Sequence, residues 1–550
     1  MRGFNPISVG LFKPEASHHR CSPPFRVGER SEMKETKIAK YIGYVSAGTM
    51  FSRLAGYIRD MLVGWLFGAG LAADAFYAAL RIPNLFRRLL GEGALLSSFV
   101  PVFSEYLATK EKKETEKLFN AVFTTLIFTL LIVCVFGMIF APQITRAIAY
   151  GFEKNPEKLS LTITLTRLMF PFLLFICLAA FLLAVLNSLK LFFVPAVAPS
   201  FLSVSEIVFI IGIAPLLIKE NQIKGLAIAV VVGGLLQFLI QLPAVKKSGF
   251  NFKPVINFNH PGLKQIFFLM LPAMWGISID QFNAFVDTIC ASFLTEGSVT
   301  ALYYSNRLMQ LPLALFGIAV ASVSLPLMSA SVSKKDHREM KDMLAFSIKI
   351  SSMAILPAMA GLIILGKPMI TLLFQHGKFD ETATVMTNSA LVFYSMGLPA
   401  FSYAKIFAGG FYSMKETKTP VKIATMCMLL NVVLNIILMG PMGVGGLALA
   451  TAVSSWTSAV LLFLSLRKRI GGLGGRKIFL SLIKIISATS VMTVICYILS
   501  TYLIKNLFLN VFGTIIVGLF LYLLTAKLLK INEMKSVWAI IKKEKPSLDE

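Results

Sequence analysis

Near the start of the chain, Arg53, Arg59, Asp60, Asp74, Arg81, Arg87, Arg88 and Glu92 stand inside stretches that are otherwise apolar. Facing lipid, each charge would cost roughly 2.5–3.5 kcal/mol near a helix centre even on the lower insertion scale. They are therefore expected to face an aqueous cavity or each other. Residues seven apart share a helix face, which groups Arg53 with Asp60, and Asp74 with Arg81 and Arg88, with Glu92 one turn further on. Arg87 lies off that stripe, and Pro83 is expected to break or kink the helix that carries it. Arginines outnumber acids here, and a planar guanidinium makes bidentate bonds to phosphate. Surplus arginine in a water-filled, low-dielectric cavity suits an anion with several oxygens, such as a diphosphate. Paired charges snorkelling at span ends to set topology are the competing reading, sufficient for Arg87 and Arg88 alone. Against it for the whole set stands Arg307, which repeats the placement of Arg81 in the second half of the chain.

The elements that must position these groups are membrane helices. The chain is 56% hydrophobic and 15% charged, with a mean hydropathy of +0.74, so its solvent is largely lipid. Apolar runs of about 20 residues, each able to cross a ~30 Å hydrocarbon core, recur from Ile38 almost to Lys530. Barrel strands would alternate in polarity, whereas runs such as Leu118 to Ala141 are apolar throughout. We read an all-α integral membrane protein with about fourteen spans, near 38–66, 72–106, 118–141, 160–187, 193–218, 222–245, 262–293, 298–330, 341–373, 385–411, 420–440, 443–466, 478–503 and 507–530. The net charge of +25 does not point to nucleic acid, because the lysines and arginines sit mainly between spans. With a cytoplasmic N-terminus, roughly thirty basic residues lie inside and roughly eight outside, which places both termini in the cytoplasm.

An internal repeat organises the spans. Ala75-Phe76-Tyr77 with Arg81, Pro101 and Ser104 matches Ala301-Leu302-Tyr303 with Arg307, Pro326 and Ser329. Pro195 stands before Glu206 as Pro420 stands before Asn431, and the run from Gly225 matches that from Gly446. We expect a leader over 1–36 whose natural start could be Met33, lobes over 37–250 and 251–470 related by pseudo-twofold symmetry, an extra helix pair over 471–532 and a cytoplasmic tail over 533–550. A substrate site is expected between the lobes near the midplane. The extra pair could offer an apolar surface to a lipid tail or pack on the lobes, and its sequence favours packing. Cys134, Cys177, Cys290, Cys427 and Cys496 lie singly in apolar spans and read as small buried hydrophobes.

Ser52-Arg53-Leu-Ala-Gly56-Tyr-Ile-Arg59-Asp60, then Phe67-Gly68-Ala69-Gly70, Asp74-Ala75-Phe76, Arg81-Ile82-Pro83-Asn84, Arg87-Arg88, Gly91-Glu92-Gly93-Ala94 and Phe99-Val100-Pro101 resemble the signature of the MurJ/MviN family, within the multidrug/oligosaccharidyl-lipid/polysaccharide exporter superfamily. The resemblance runs from Met33 over nearly the whole chain. It implies a flippase in the bacterial cytoplasmic (inner) membrane that moves lipid II, the undecaprenyl-pyrophosphate-linked peptidoglycan precursor, to the outer leaflet. The prenyl tail would lie in a groove formed by the last two spans. It implies cavity roles for Arg53, Arg59, Arg87 and Arg307, with Asp60, Asp74 and Glu92 nearby, and a monomer working alongside cell-wall synthesis enzymes. No cofactor is implied beyond possible coupling to Na+ or another ion, at a cation site that maps to Asp287, Asn431, Asn435 and Thr451. The chain departs from such members at Asn435, where they carry an acid, and the loss weakens the case for sodium because hard cations favour charged oxygens. It departs again at Asn306, often acidic in relatives.

Three other readings compete. An enzyme of lipid-linked sugar chemistry lacks support, since His18, His19, His260, His337 and His376 fall in the leader or loops with no metal or triad spacing. Gly361 to Lys367 matches G-x-x-x-x-G-K, yet Pro368 replaces the Ser/Thr that a phosphate loop needs. A cation-coupled multidrug exporter would need an acidic or aromatic cavity rather than an arginine-rich one. A flippase for another lipid-linked saccharide is separated only by the signature above.

Overall fold

The computed structural model describes residues 48–534 except 256, 258, 335, 473–474 and 532, and leaves the side chains of 89–92, 273, 275–277, 279–280, 337 and 477 undescribed. The expected leader, the start at Met33, the tail from 535 onward and the side chain of Glu92 lie outside the described residues. Among the described residues every regular element is helical, and nine helices are long and apolar enough to cross a membrane. Large apolar side chains such as Phe268 (69% exposed) and Ile516 (68%) face outward, the arrangement of a protein dissolved in lipid.

The first half comprises α1 (48–67), α2 (Leu71–Phe86), α3 (Leu96–Thr109), α4 (Lys112–Ile139), α5 (Pro156–Ser188), α6 (Ser200–Val208) and α7 (Lys219–Leu239). Helix α5 is the hub, packing against α2, α4 and α7 with Phe170, Phe172, Phe181 and Leu182 fully buried. The second half comprises α8 (Pro261–Ser292), α9 (Ser298–Pro312), α10 (Ala319–Ser333), α11 (His337–Phe374), α12 (Glu381–Ser413) and α13 (Lys418–Ile470). Here α12 is the hub, against α9, α11 and α13, while α8 touches both α3 and α13. The expected spans 420–440 and 443–466 fall within α13, which turns at Gly443 (φ 54°, ψ −131°).

Pro83 does not end its helix. The chain runs on to Phe86 and then widens into a π-helix over Arg87–Leu95 before α3 begins. Pro312 at the end of α9 is likewise followed by a π-helix, Leu313–Ile318, before α10. A π turn inserts residues into the helical register and re-aims the side chains it carries, a device frequent at functional sites. The last helices, α14 (Gly475–Ile498) and α15 (Thr514–Leu528), pack on each other, and α14 lies against α11. The Tyr522 hydroxyl donates to the Met353 carbonyl at 2.7 Å, and Lys349 pairs with Glu533 at 2.8 Å. Their opposite faces, with Phe479, Ile486 and Phe520, remain exposed and apolar.

Candidate functional site

A cavity of about 1040 Å³ lies between the two halves, and Arg59, Arg81, Arg87, Arg88 and Arg307 all line it. It is large for a small-molecule pocket and suits a bulky polar head group. Among the exposed residues of its lining, Arg88, Gln310, Ile318, Ser322, Lys405 and Tyr412 lie towards the end where the basic loops are. Arg53 is half-buried and outside the lining, although its neighbour Ser52 belongs to it.

Asp60 is the centre of the charge network and is 1% exposed. Its Oδ1 accepts from Arg59 Nε at 3.0 Å and Nη2 at 2.7 Å. Arg307 Nε lies 3.0 Å from Oδ2, a charge contact without hydrogen-bond alignment. The Arg307 guanidinium sits 5.2 Å from the centre of the Tyr57 ring. It can reach there because position 56 is glycine: a Cβ would collide with Arg307 Nη2. Arg87 donates to Asn84 Oδ1 at 3.2 Å, and Arg81 to Thr288 Oγ1 at 2.9 Å. Of the seven-residue grouping, Arg81 and Arg88 share the cavity while Asp74 does not, and Asp60 pairs with its own neighbour and with the other half of the chain.

Tyrosines form the floor. Tyr77 and Tyr303, which hold the same place in the two matching stretches, stack with ring centres 4.0 Å apart. Tyr77 donates to the Tyr304 hydroxyl at 3.0 Å, Tyr304 donates to the Asp60 carbonyl at 3.2 Å, and Arg59 Nη2 donates to the Tyr303 hydroxyl at 3.2 Å. Phe374 and Phe379 pack beneath Tyr304.

Beyond the floor, at the end away from the basic loops, the halves are latched. Asp74 is not a cavity residue. It is 1% exposed, and its carboxylate accepts from Gly297 N (2.8 Å), Thr300 N (2.9 Å), Thr300 Oγ1 (2.7 Å) and Lys158 Nζ (2.7 Å). An N-terminal helix turn holds unpaired N–H groups and partial positive charge, so a carboxylate from α2 caps α9 across the seam. Glu296, just before α9, returns the favour by accepting from Leu71 N at the start of α2. Asn155 caps α5 by accepting from Lys158 N, which fixes Lys158 in the first turn of that helix, within reach of Asp74. Gly297 (φ 88°) closes on the Ala69 carbonyl, a position strained for any side chain.

The four positions mapped as a cation site do meet. Asn435 Nδ2 donates to Asp287 Oδ1 at 2.8 Å and to Asn431 Oδ1 at 3.1 Å, and Asn431 Nδ2 donates to Thr451 Oγ1 at 3.2 Å. The Asn435 Oδ1, buried, has no donor. Asp287 is the one carboxylate of this cluster, beside two amides and a hydroxyl. The cluster holds fewer of the charged oxygens that sodium prefers than a site with an acid at position 435 would.

Sequence reasoning missed Lys158, Glu296, Thr300 and the tyrosine floor, and used Glu206 only as a register mark. Glu206, 2% exposed on α6, faces Arg59 Nη1 at 3.4 Å. The repeat did contain a signal for the floor, since Tyr77 and Tyr303 are part of its first match.

With this geometry in hand, comparison with known proteins is decisive: residues 63–518 match the sequence profile described as "Lipid II flippase MurJ". The chain belongs to the MurJ family. It is 37% identical over 431 residues to the lipid II flippase MurJ of Burkholderia cenocepacia, covering 77% of this chain and 83% of that one. It is 39% identical over 426 residues to the probable lipid II flippase MurJ of Vibrio cholerae serotype O1, covering 76% and 81%. A solved structure of lipid II flippase MurJ in an inward closed conformation matches with a TM-score of 0.75 at 26% identity, over 91% of this chain and 99% of that one. An inward-facing multidrug resistance MATE family transporter matches with a TM-score of 0.62 at 18% identity, over 79% and 98%, a likeness of fold alone.

Proposed function

We propose that this MurJ family member is a transporter that moves lipid II from the cytoplasmic to the outer leaflet of the bacterial inner membrane by alternating access. The observation that carries the reading is the cavity in which Arg59, Arg87 and Arg307 converge from both halves of the chain. Arginine forks match the oxygens of a diphosphate, whereas a cationic drug would be repelled. The polyprenyl tail stays in lipid against the exposed faces of α14 and α15. The basic-loop end is the cytoplasmic one, with both termini there. In the conformation described, the tyrosine floor and the Asp74 latch close the opposite end, so the cavity receives substrate from the cytoplasmic side. One copy suffices, because a single chain builds the whole cavity.

Growth of bacteria depleted of their own flippase tests the assignment. This chain should restore growth. Arg87→Lys should restore it poorly at equal protein level, because a retained charge lacks the bidentate fork. Failure of the wild-type chain, present in the membrane, would overturn the assignment; full activity of Arg87→Lys would remove the fork from it.

Coupling to sodium is not routed through the Asp287 cluster in this proposal, since the cluster holds a single carboxylate. Asn435→Asp sets a second carboxylate beside Asp287. The variant is expected to gain a rise in melting temperature with NaCl over KCl that the wild type lacks. A sodium-specific rise in the wild type would contradict this.

A further inference from the structure

Arg59 meets protein acceptors on most of its guanidinium. Its Nε and Nη2 bond Asp60 Oδ1, Nη2 also donates to the Tyr303 hydroxyl, and Nη1 points to Glu206 Oε1. The guanidinium side chain is 11% exposed and the Glu206 side chain 3%. A guanidinium has five N–H groups, and here four have protein acceptors. Arg59 therefore cannot grip a diphosphate through a two-pronged contact until a protein oxygen lets go.

The distances say which one. Asp60 holds Arg59 at 2.7 Å and is also in charge contact with Arg307, whereas Glu206 reaches Nη1 at 3.4 Å and has Arg59 as its ion-pair partner. The weakest of these contacts yields first. Glu206 is held in place: on α6 it shares a face with Ser203, both lining the cavity, and Ser205 Oγ anchors the helix by donating to the Ala229 carbonyl at 2.8 Å. Among the elements packed around it, α1 offers Arg59 and Asp60, and α9 offers Tyr303 with Arg307 behind Asp60. The charges of α7 (Lys219, Glu220 and Lys224) lie in its first two turns, short of the level of Ala229.

We propose that Glu206 is an internal competitor for the substrate: its carboxylate occupies Arg59 in the empty transporter, is displaced when a diphosphate binds, and then drives release by returning. While displaced, the buried carboxyl has lost its cation and lies beside a negative ligand, which raises the energy of the bound state whether it keeps its charge or takes up a proton. Arg59 thus never stands unpaired inside the membrane, and the diphosphate is not held too tightly to leave. Glu206 is in this sense a positioning residue acting through Arg59.

The inference rests on the diphosphate reading of the cavity. Its test uses the purified full chain and a short-chain prenyl diphosphoryl sugar, whose diester diphosphate keeps a fixed charge near neutral pH. Glu206→Gln should bind the probe at least about tenfold more tightly than wild type. The same variant should turn over more slowly in lipid II transport, lowering both the half-saturating concentration and the maximal rate. Glu206→Asp, which keeps the charge, should stay near wild type, and Glu206→Leu should tighten binding as Gln does if the amide disturbs folding. Equal or weaker binding by both uncharged variants overturns the competitor role and leaves the transport assignment standing. No binding of the probe by any form, wild type included, overturns both.

Discussion

Arg307→Ala should fail to support growth of flippase-depleted cells while its abundance in the membrane stays at the wild-type level. Arg307 is 32% exposed, so part of its guanidinium is available to a ligand while Nε faces Asp60. Charge-assisted hydrogen bonds contribute about 1.5–3 kcal/mol each, so losing one fork lowers diphosphate affinity by roughly ten- to a hundredfold or more. The substitution also leaves Asp60 to Arg59 alone, which draws that second arginine away from the ligand. Both effects have the same sign. Arg307→Lys should recover only part of the activity, since an ammonium can neutralise Asp60 but cannot present a planar fork. Normal growth of Arg307→Ala would show that the cavity arginines do not hold the substrate.

Asp74→Asn should open the end of the molecule that the structure shows closed. All four donors that Asp74 accepts come from beyond its own helix, two of them from the first turn of α9. An amide can offer one oxygen, and its NH2 group then meets an N–H or the Lys158 ammonium. Removing one partner of a buried ion pair costs about 3–5 kcal/mol, which shifts a closed-to-open ratio by more than about a hundredfold. A cysteine at Asn306, on the cavity wall, reports the change. In Asp74→Asn it should react with a membrane-impermeant maleimide added on the latch side, whereas in the parent it should be protected. Equal labelling of the two would mean that the Asp74 contacts do not hold this end shut.

The helical architecture was legible because each apolar run is long and continuous. The positions of Arg59, Arg81, Arg87, Arg88 and Arg307 on the cavity follow from the cost of a charge in lipid, which leaves few other places for them. Their partners were not legible. A seven-residue rule presumes one unbroken register, but the chain turns between α1 and α2 at Gly68 (φ 67°) and widens into a π-helix at Arg87. Asp74 finds Lys158 and Thr300 through folding, at separations of 84 and 226 residues, where no periodicity reaches. The Asp287 cluster was reached only through family resemblance, since three of its four members are neutral and carry no electrostatic signal in sequence. What the structure adds there is that the four side chains meet in one hydrogen-bonded cluster.

The central claim is that this chain carries lipid II across the membrane, and leaflet-resolved accessibility of lipid II in cells whose only flippase is this chain tests it most directly. With the wild-type chain, an impermeant reagent or enzyme outside the membrane should reach newly made lipid II. With Arg307→Ala at the same abundance, lipid II should accumulate in the inner leaflet and stay protected. Protection in the wild-type cells, or equal exposure in the two, would contradict the assignment.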